Sequence, residues 1–291
     1  MSSEHAPIRS LLFVPGDSER KMERALLSGS DMLILDLEDS VSASQKAAAR
    51  SLVAAFLKAQ PSNRTQRYFV RVNPIGSDYF HEDLTSVVSG RPDGIVLPKS
   101  EPAQVGSLGA QLTVLEEAHG LASGSIQIIC IATETPSAIF ALGSYAGTSA
   151  RLRGLAWGAE DLAASLGAVN RTANGCDDVF RLARSLCLLG AAAASVDAFD
   201  TVYTEYKDLS GLKNECVAAR RSGFTGKLAI HPDQVATINE AFSPNAAEVS
   251  WARRVVAAFS ENPDVGAVGI DGKMIDRPHL ILAQRLLSKL S

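Results

Sequence analysis

Residues 126–161 read IQIICIATETPSAIFALGSYAGTSARLRGLAWGAED. Two apolar runs here each stop on an acid: Ile126–Ala132 runs into Glu134, and Leu152–Trp157 runs into Glu160 and Asp161. Apolar runs of this length, bounded by Gly or Pro, predict strands buried on both faces. Between them Pro136 sits where a helix can start, and Ala138–Tyr145 can fill its first turns. A strand–helix–strand unit makes the two strands parallel neighbours, so both acids end at the same edge of the sheet. Two acids converging there can share one hard cation such as Mg²⁺. Each acid alone also reads as a cap on the helix that follows it. The pair at matching strand ends is what points to a site.

Outward from this unit the same alternation repeats. Upstream, SLLFVPG from Ser10, MLILDLEDSV, RYFVRVNP and DGIVLPKS read as four strands, with helical runs such as Ala43–Lys58 and Val105–Ala118 among them. Downstream, a helix from Asp177 to Leu189 leads to ASVDAF, and Glu205–Ser222 leads to GKLAIHP. Eight strands alternating with helices predict an α/β fold, a closed (β/α)₈ TIM barrel. An open doubly wound sheet gives a similar string, although no GxGxxG follows the first strand. In a barrel the site lies at the C-terminal strand ends. Those ends carry Asp36, Glu38, Asp39, Arg71, Asn73, Lys99, Glu134, Asp161, Asp197 and His231. The barrel is expected over residues 1–231, with a C-terminal helical extension over 232–291 that packs at a subunit interface. Helices are expected over Asp233–Phe242 and Ala246–Ser260, then a Gly-rich turn region and a last helix.

The bulk numbers exclude several classes. Lys and Arg total 28 against 32 Asp and Glu, with no basic run, which argues against nucleic acid as a main partner. No apolar run approaches membrane-spanning length and no signal peptide is visible, so a cytoplasmic protein is expected. Cys130, Cys176, Cys187 and Cys216 form no CxxC pair and read as reduced structural thiols.

Several stretches together resemble the citrate lyase β-subunit and malyl-CoA lyase family, within the wider HpcH/HpaI aldolase group. They are RSLLFVPG (9–16), LILDLEDSV (33–41), FVRVN (69–73), GIVLPKSE (94–101), IATETPSAI (131–139), GLAWGAEDLAASLG (154–167), KLAIHPDQV (227–235) and GKMIDRP (272–278). The likeness covers nearly the whole chain in order. It implies a (β/α)₈ barrel in a homo-oligomer, trimer or hexamer, with Mg²⁺ (Mn²⁺ as an alternative) and a CoA thioester as substrate. It makes Glu134 and Asp161 the metal ligands, Glu134 being also a substrate contact, and Arg71 the arginine that contacts substrate. It matches Asp36, Glu38 and Asp39 to a catalytic acidic cluster at the strand end, in which Glu38 and Asp39 bind metal-bound waters or hold Arg71. It matches Asp276 to an acid presented to an adjacent subunit, and Arg9 and Lys21 to basic residues near the CoA phosphates. Lys99 is assigned to the substrate site in a charge-balancing role.

The implied reaction splits a β-hydroxyacyl-CoA of the malyl-, citramalyl- or citryl-CoA type into an acyl-CoA and a 2-oxoacid. Negative charge develops on the hydroxyl oxygen and on the thioester oxygen of the enolate. A divalent cation lowers the cost of the first. A guanidinium at Arg71 stabilises the second or the oxoacid carboxylate. Asp276, in a partly desolvated setting, would exchange a proton with the enolate carbon. Each assignment has a plain alternative: Arg71 neutralises the neighbouring acids, Asp276 is an N-cap before Arg277-Pro278, and His231 closes the barrel. Other outcomes on the same site are a malyl-CoA thioesterase, a citrate lyase β-subunit acting on an acyl-carrier thioester, and a metal-dependent 2-oxoacid aldolase. Ser137, Ala163 and Ala168 are expected to shape the acyl pocket.

Overall fold

A computed structural model describes residues 7–61, 63–170, 177–288 and 290. The first compact unit spans Ile8–Glu240. Its strands are β1 (Ser10–Pro15), β2 (Met32–Asp36), β3 (Arg67–Arg71), β4 (Gly94–Leu97), β5 (Gln127–Ile131), β6 (Leu152–Ala156), β7 (Asp197–Asp200) and β8 (Gly226–Ala229). Each pairs in parallel with the next, and β1 pairs with β8, so the sheet closes and the open alternative is excluded. The intervening helices are α1 (Glu19–Ala25), α2 (Lys46–Ala59), α3 (Phe80–Val88), α4 (Pro102–Ala118), α5 (Pro136–Ala141), α6 (Ala159–Leu166), α7 (Asp178–Ala193) and α8 (Leu209–Ser222).

The strands read as continuous apolar runs because both faces are covered. The inward face is a packed core of Leu11, Met32, Ile34, Phe69, Val96, Ile129, Ile131, Ala156, Phe199 and Leu228. Two large rings fill it only because their neighbours are glycines. A Cβ on Gly94 would stand 2.1 Å from Phe69 Cε1, and one on Gly154 would stand 2.5 Å from Phe199 Cε2. Alternation of large and small side chains is how a barrel interior reaches crystal-like density. Cys130, Cys187 and Cys216 are buried free thiols, as expected; Cys176 lies outside the described residues.

α9 (Val235–Phe242) carries the chain out of this unit. The break falls after Glu240, later than the sequence placed it, because Val235 and Ile238 are buried. The second unit, from Ala241 onward with Pro7, contains α10 (Ala246–Glu261), β9 (Ala267–Ile270), β10 (Lys273–Asp276) and α11 (Arg277–Leu287). It is therefore not purely helical: β9 and β10 form an antiparallel hairpin. Asp271 and Gly272 turn it, both at positive φ (52° and 73°), which is the requirement of a two-residue type I′ turn. Ala252, Val255, Phe259, Ile270, Ile275 and Ala283 form this unit's own core. Among the described residues no helix is long and apolar enough to cross a membrane.

Candidate active site

Parallel register brings β2 and β3 to the mouth in step, with Asp36 beside Arg71. Arg71 donates from Nε to Asp36 Oδ1 (2.7 Å) and from Nη2 to Asp36 Oδ2 (2.8 Å), a bidentate clamp. Its Nη1 lies 3.0 Å from Glu38 Oε2 and 3.6 Å from Asp39 Oδ2, and its plane rests over Phe13 at 4.7 Å. Both Asp36 oxygens are engaged further, by the amides of Glu38 (2.9 Å) and Ser40 (3.1 Å). Burial pushes the Asp36 carboxyl up, but Arg71 and these donors bring it below the ordinary carboxylate range. Asp36 is thus a support for Arg71. The acidic cluster holds the arginine, one of the two roles the resemblance allows.

Glu38 is shared between two cations. Its Oε1 accepts from Lys99 Nζ at 2.6 Å, while its buried Oε2 meets Arg71 as an ion pair with no donor in hydrogen-bond geometry. Burial raises the Glu38 carboxyl above its usual range against the pull of Arg71 and Lys99. Lys99 follows β4 with φ +47°, a conformation that costs a non-glycine residue energy. The turn points its amide at Glu134 and its ammonium at Glu38 and at Asp161 Oδ1 (3.1 Å). Lys99 thus joins three acids, Glu38 and Asp161 through its ammonium and Glu134 through its amide.

Glu134 and Asp161 line one cavity of about 410 Å³ together with Asp36, Asp39, Arg71 and Thr201. Neither is a helix N-cap. Thr135 caps α5 through its hydroxyl, and Asp161 sits in the first turn of α6 behind Gly158. Glu134 is buried and Asp161 partly exposed. Burial, and then the Asp161 charge, push the Glu134 carboxyl up to about 8, although the Lys99 amide lowers it. Glu134 fits against the β6–α6 turn because residue 158 has no side chain: a Cβ there would stand 2.8 Å from Glu134 Cγ. Gly158 donates to Thr133 Oγ1 (2.9 Å) and Ala159 to Thr201 Oγ1 (3.3 Å), so this turn hangs from the ends of β5 and β7.

Two carboxylates facing one open cavity, one of them buried and of raised proton affinity, are a donor set short of positive charge. No trio of His, Cys, Asp and Glu is grouped for a metal among the described residues. Mg²⁺ does not need one, since it binds through one or two carboxylates and keeps positions for water and substrate. Glu134 and Asp161 therefore fit that ion.

None of Arg9, Lys21 and Asp276 lines the main cavity. Arg9 precedes β1 and so stands at the N-terminal end of the barrel, away from the mouth. It is paired bidentately with Asp31 just before β2 (2.8 and 2.9 Å), a tie between the starts of two neighbouring strands. Lys21 lines a second cavity of about 310 Å³ with Arg24 and His231, which shares Phe13, Pro15 and Ile230 with the first. Asp276 belongs to the second unit, where it caps α11 and contacts His279 Nδ1. That contact holds its carboxyl below the usual range, opposite to the desolvated acid anticipated. His231 stacks on Tyr206 at 4.6 Å and accepts the Asp233 amide through Nδ1, a turn-closing role. Ser137, Ala163 and Ala168 do not line the main cavity. Its apolar wall is Phe13, Pro15, Ile131, Val202, Leu228 and Ile230.

A parallel closed barrel with acids and a clamped guanidinium at its C-terminal mouth has the architecture of a TIM-barrel carbon–carbon lyase. Residues 179–291 match the family described as C-C bond lyase of the TIM-barrel fold. The chain belongs to the HpcH/HpaI aldolase/citrate lyase family, which matches residues 9–232. It is similar to citrate lyase subunit beta of Haemophilus influenzae, 36% identical over 284 residues that cover 97% of this chain and 96% of the relative. It is similar to (3S)-malyl-CoA thioesterase of Cereibacter sphaeroides, 32% identical and covering 99% and 96%. Among solved structures it is similar to the CitE protein of Mycobacterium tuberculosis in complex with magnesium, acetoacetate and coenzyme A. That match has a TM-score of 0.78, 30% identity and 99% coverage of each chain. The protein is an enzyme of the carbon–carbon lyase class.

Proposed function

We propose that the chain is a Mg²⁺-dependent lyase that cleaves a β-hydroxyacyl-CoA into an acyl-CoA and a 2-oxoacid. The observation that carries this reading is the convergence of Glu134, Asp161 and the clamped Arg71 on one cavity. Glu134 and Asp161 would hold the ion, which supplies Lewis-acid stabilisation for the hydroxyl oxygen as it loses its proton. Arg71 binds the oxoacid carboxylate or the enolate oxygen. Asp36 fixes its plane beforehand, so little reorganisation is needed as charge develops. Lys99 holds Glu38 and Asp161 in place and offsets their charge. By the family resemblance, Asp276 of an adjacent subunit, ionised beside His279, would take the α-proton of the acyl-CoA in the condensing direction. Cleavage returns the same proton to carbon. The cavity carrying Lys21 and Arg24 supports a path for the CoA arm, with those cations towards the phosphates.

Malyl-, citramalyl- and citryl-CoA, each assayed with and without EDTA, test the proposal. EDTA-sensitive release of a 2-oxoacid is expected from at least one. No CoA or oxoacid from any of them would refute it. The likeness to a malyl-CoA thioesterase favours a second outcome on the same site, hydrolysis. Intact malate with free CoA, and no glyoxylate, would identify it.

A further inference from the structure

Behind the barrel wall lies a second group of ionised side chains. Asp200 at the end of β7 and Lys227 in β8 are fully buried, and Arg184 (α7) and Glu215 (α8) close over them. Asp200 Oδ2 accepts from Lys227 Nζ (3.1 Å), and its Oδ1 accepts from Arg184 Nε (2.8 Å) and from the Trp157 indole Nε1 (2.7 Å). Lys227 also donates to Glu215 Oε1 (2.6 Å). Two acids face two bases, and no member of the group lines the main cavity. Stability alone does not account for such a cluster, because buried ion sets are often replaced by apolar residues at no loss. What it supplies is direction. Asp200 also takes the neutral indole of Trp157, and Trp157 is followed directly by Gly158, Ala159, Glu160 and Asp161.

We propose that Asp200 is a positioning residue for the active site: through the Trp157 indole it fixes the β6–α6 turn that carries Gly158 and Asp161. This inference rests on the metal-site reading above for its consequence, but not for its geometry. Three side chains from neighbouring strand ends tether the root of the turn. Thr133 and Thr201 hold its backbone, and Asp200 holds the one large side chain at its root. The hydroxyls act on backbone amides alone, and the indole bond adds a buried side-chain anchor at the root of the turn. Orientation of a ligand through its supporting hydrogen bonds is a general feature of metal sites.

The test uses the full-length chain without metal, then with Mn²⁺ as the probe. Trp157→Phe keeps an aromatic side chain and all four ions, and deletes the pyrrole ring with its N–H. Asp200→Asn removes the charge. Glu116→Gln, which weakens the buried Glu116–Arg151 pair (2.6 Å), is the matched structural control. In hydrogen exchange, residues 156–163 should exchange about tenfold faster in Trp157→Phe and Asp200→Asn. The dissociation constant for Mn²⁺ should rise about tenfold in both. Glu116→Gln should lower the melting temperature and move neither readout. If Trp157→Phe and Asp200→Asn lower the melting temperature as the control does, with exchange at 156–163 and Mn²⁺ affinity unchanged, the role is structural and the inference fails. Should Asp200→Asn not fold, Trp157→Phe decides alone. Should the wild-type chain bind no Mn²⁺, the metal reading fails, and the exchange data still decide the inference.

Discussion

The barrel wall separates two ionic groups that differ in closure. Behind it, Asp200, Glu215, Lys227 and Arg184 balance one another, and the buried oxygens of Asp200 are taken up by donors. Burial raises the Asp200 carboxyl, but Lys227 and then Arg184 bring it down to about 2. At the mouth, among the described residues, Asp36, Glu38, Asp39 and Asp161 have Arg71 and Lys99 as their ion-pair partners, and Glu134 meets Lys99 through its amide. Glu134 there is pushed up to about 8. A buried carboxyl near 2 has found its cations, and one near 8 is short of them. The closed group serves the architecture. The open one faces a cavity and calls for a ligand of positive charge.

This contrast predicts that substitutions at the mouth cost chemistry more than stability. The largest effect is expected for Arg71→Lys. An ammonium cannot reproduce the fork that meets both Asp36 oxygens, so kcat should fall by roughly 10²–10³, or about 3–4 kcal/mol, with the fold intact by circular dichroism. A fall under tenfold would mean that Arg71 merely neutralises the acids around it. Gly158→Ala should have a smaller effect. The new methyl displaces Glu134, and a misplaced ligand of that kind lowers kcat by about 10–10². Wild-type activity in this variant would show that Glu134 does not work from the position described.

Much of this was legible in the chain. The eight strands stand out as apolar runs because a parallel barrel buries both faces of its sheet. Glu134 and Asp161 stand out because strand ends of one βαβ unit share an edge. Arg9 was misplaced by likeness alone; its position before β1 already put it at the opposite end from Arg71. The hairpin of the second unit had a signal that was passed over, Asp271-Gly272 between two short apolar runs. Other features had none. Gly158 matters through the side chain it lacks, and Thr133, Thr201 and Asp200 act across strands distant in sequence. The cavity wall of Val202, Leu228 and Ile230 likewise assembles only when the barrel closes.

The most direct test of the account is a titration of Mn²⁺ into the wild-type chain and Glu134→Gln between pH 6 and pH 8.5. Glu134 is raised from 4.5 to about 8, so below about pH 8 a proton must leave before the ion can bind. Affinity should therefore climb with pH, by up to about tenfold per unit, and level off above about 8, whereas Glu134→Gln should bind weakly without that slope. Equal affinity in the two proteins, or a wild-type affinity indifferent to pH, would contradict the claim that this carboxylate grips the ion.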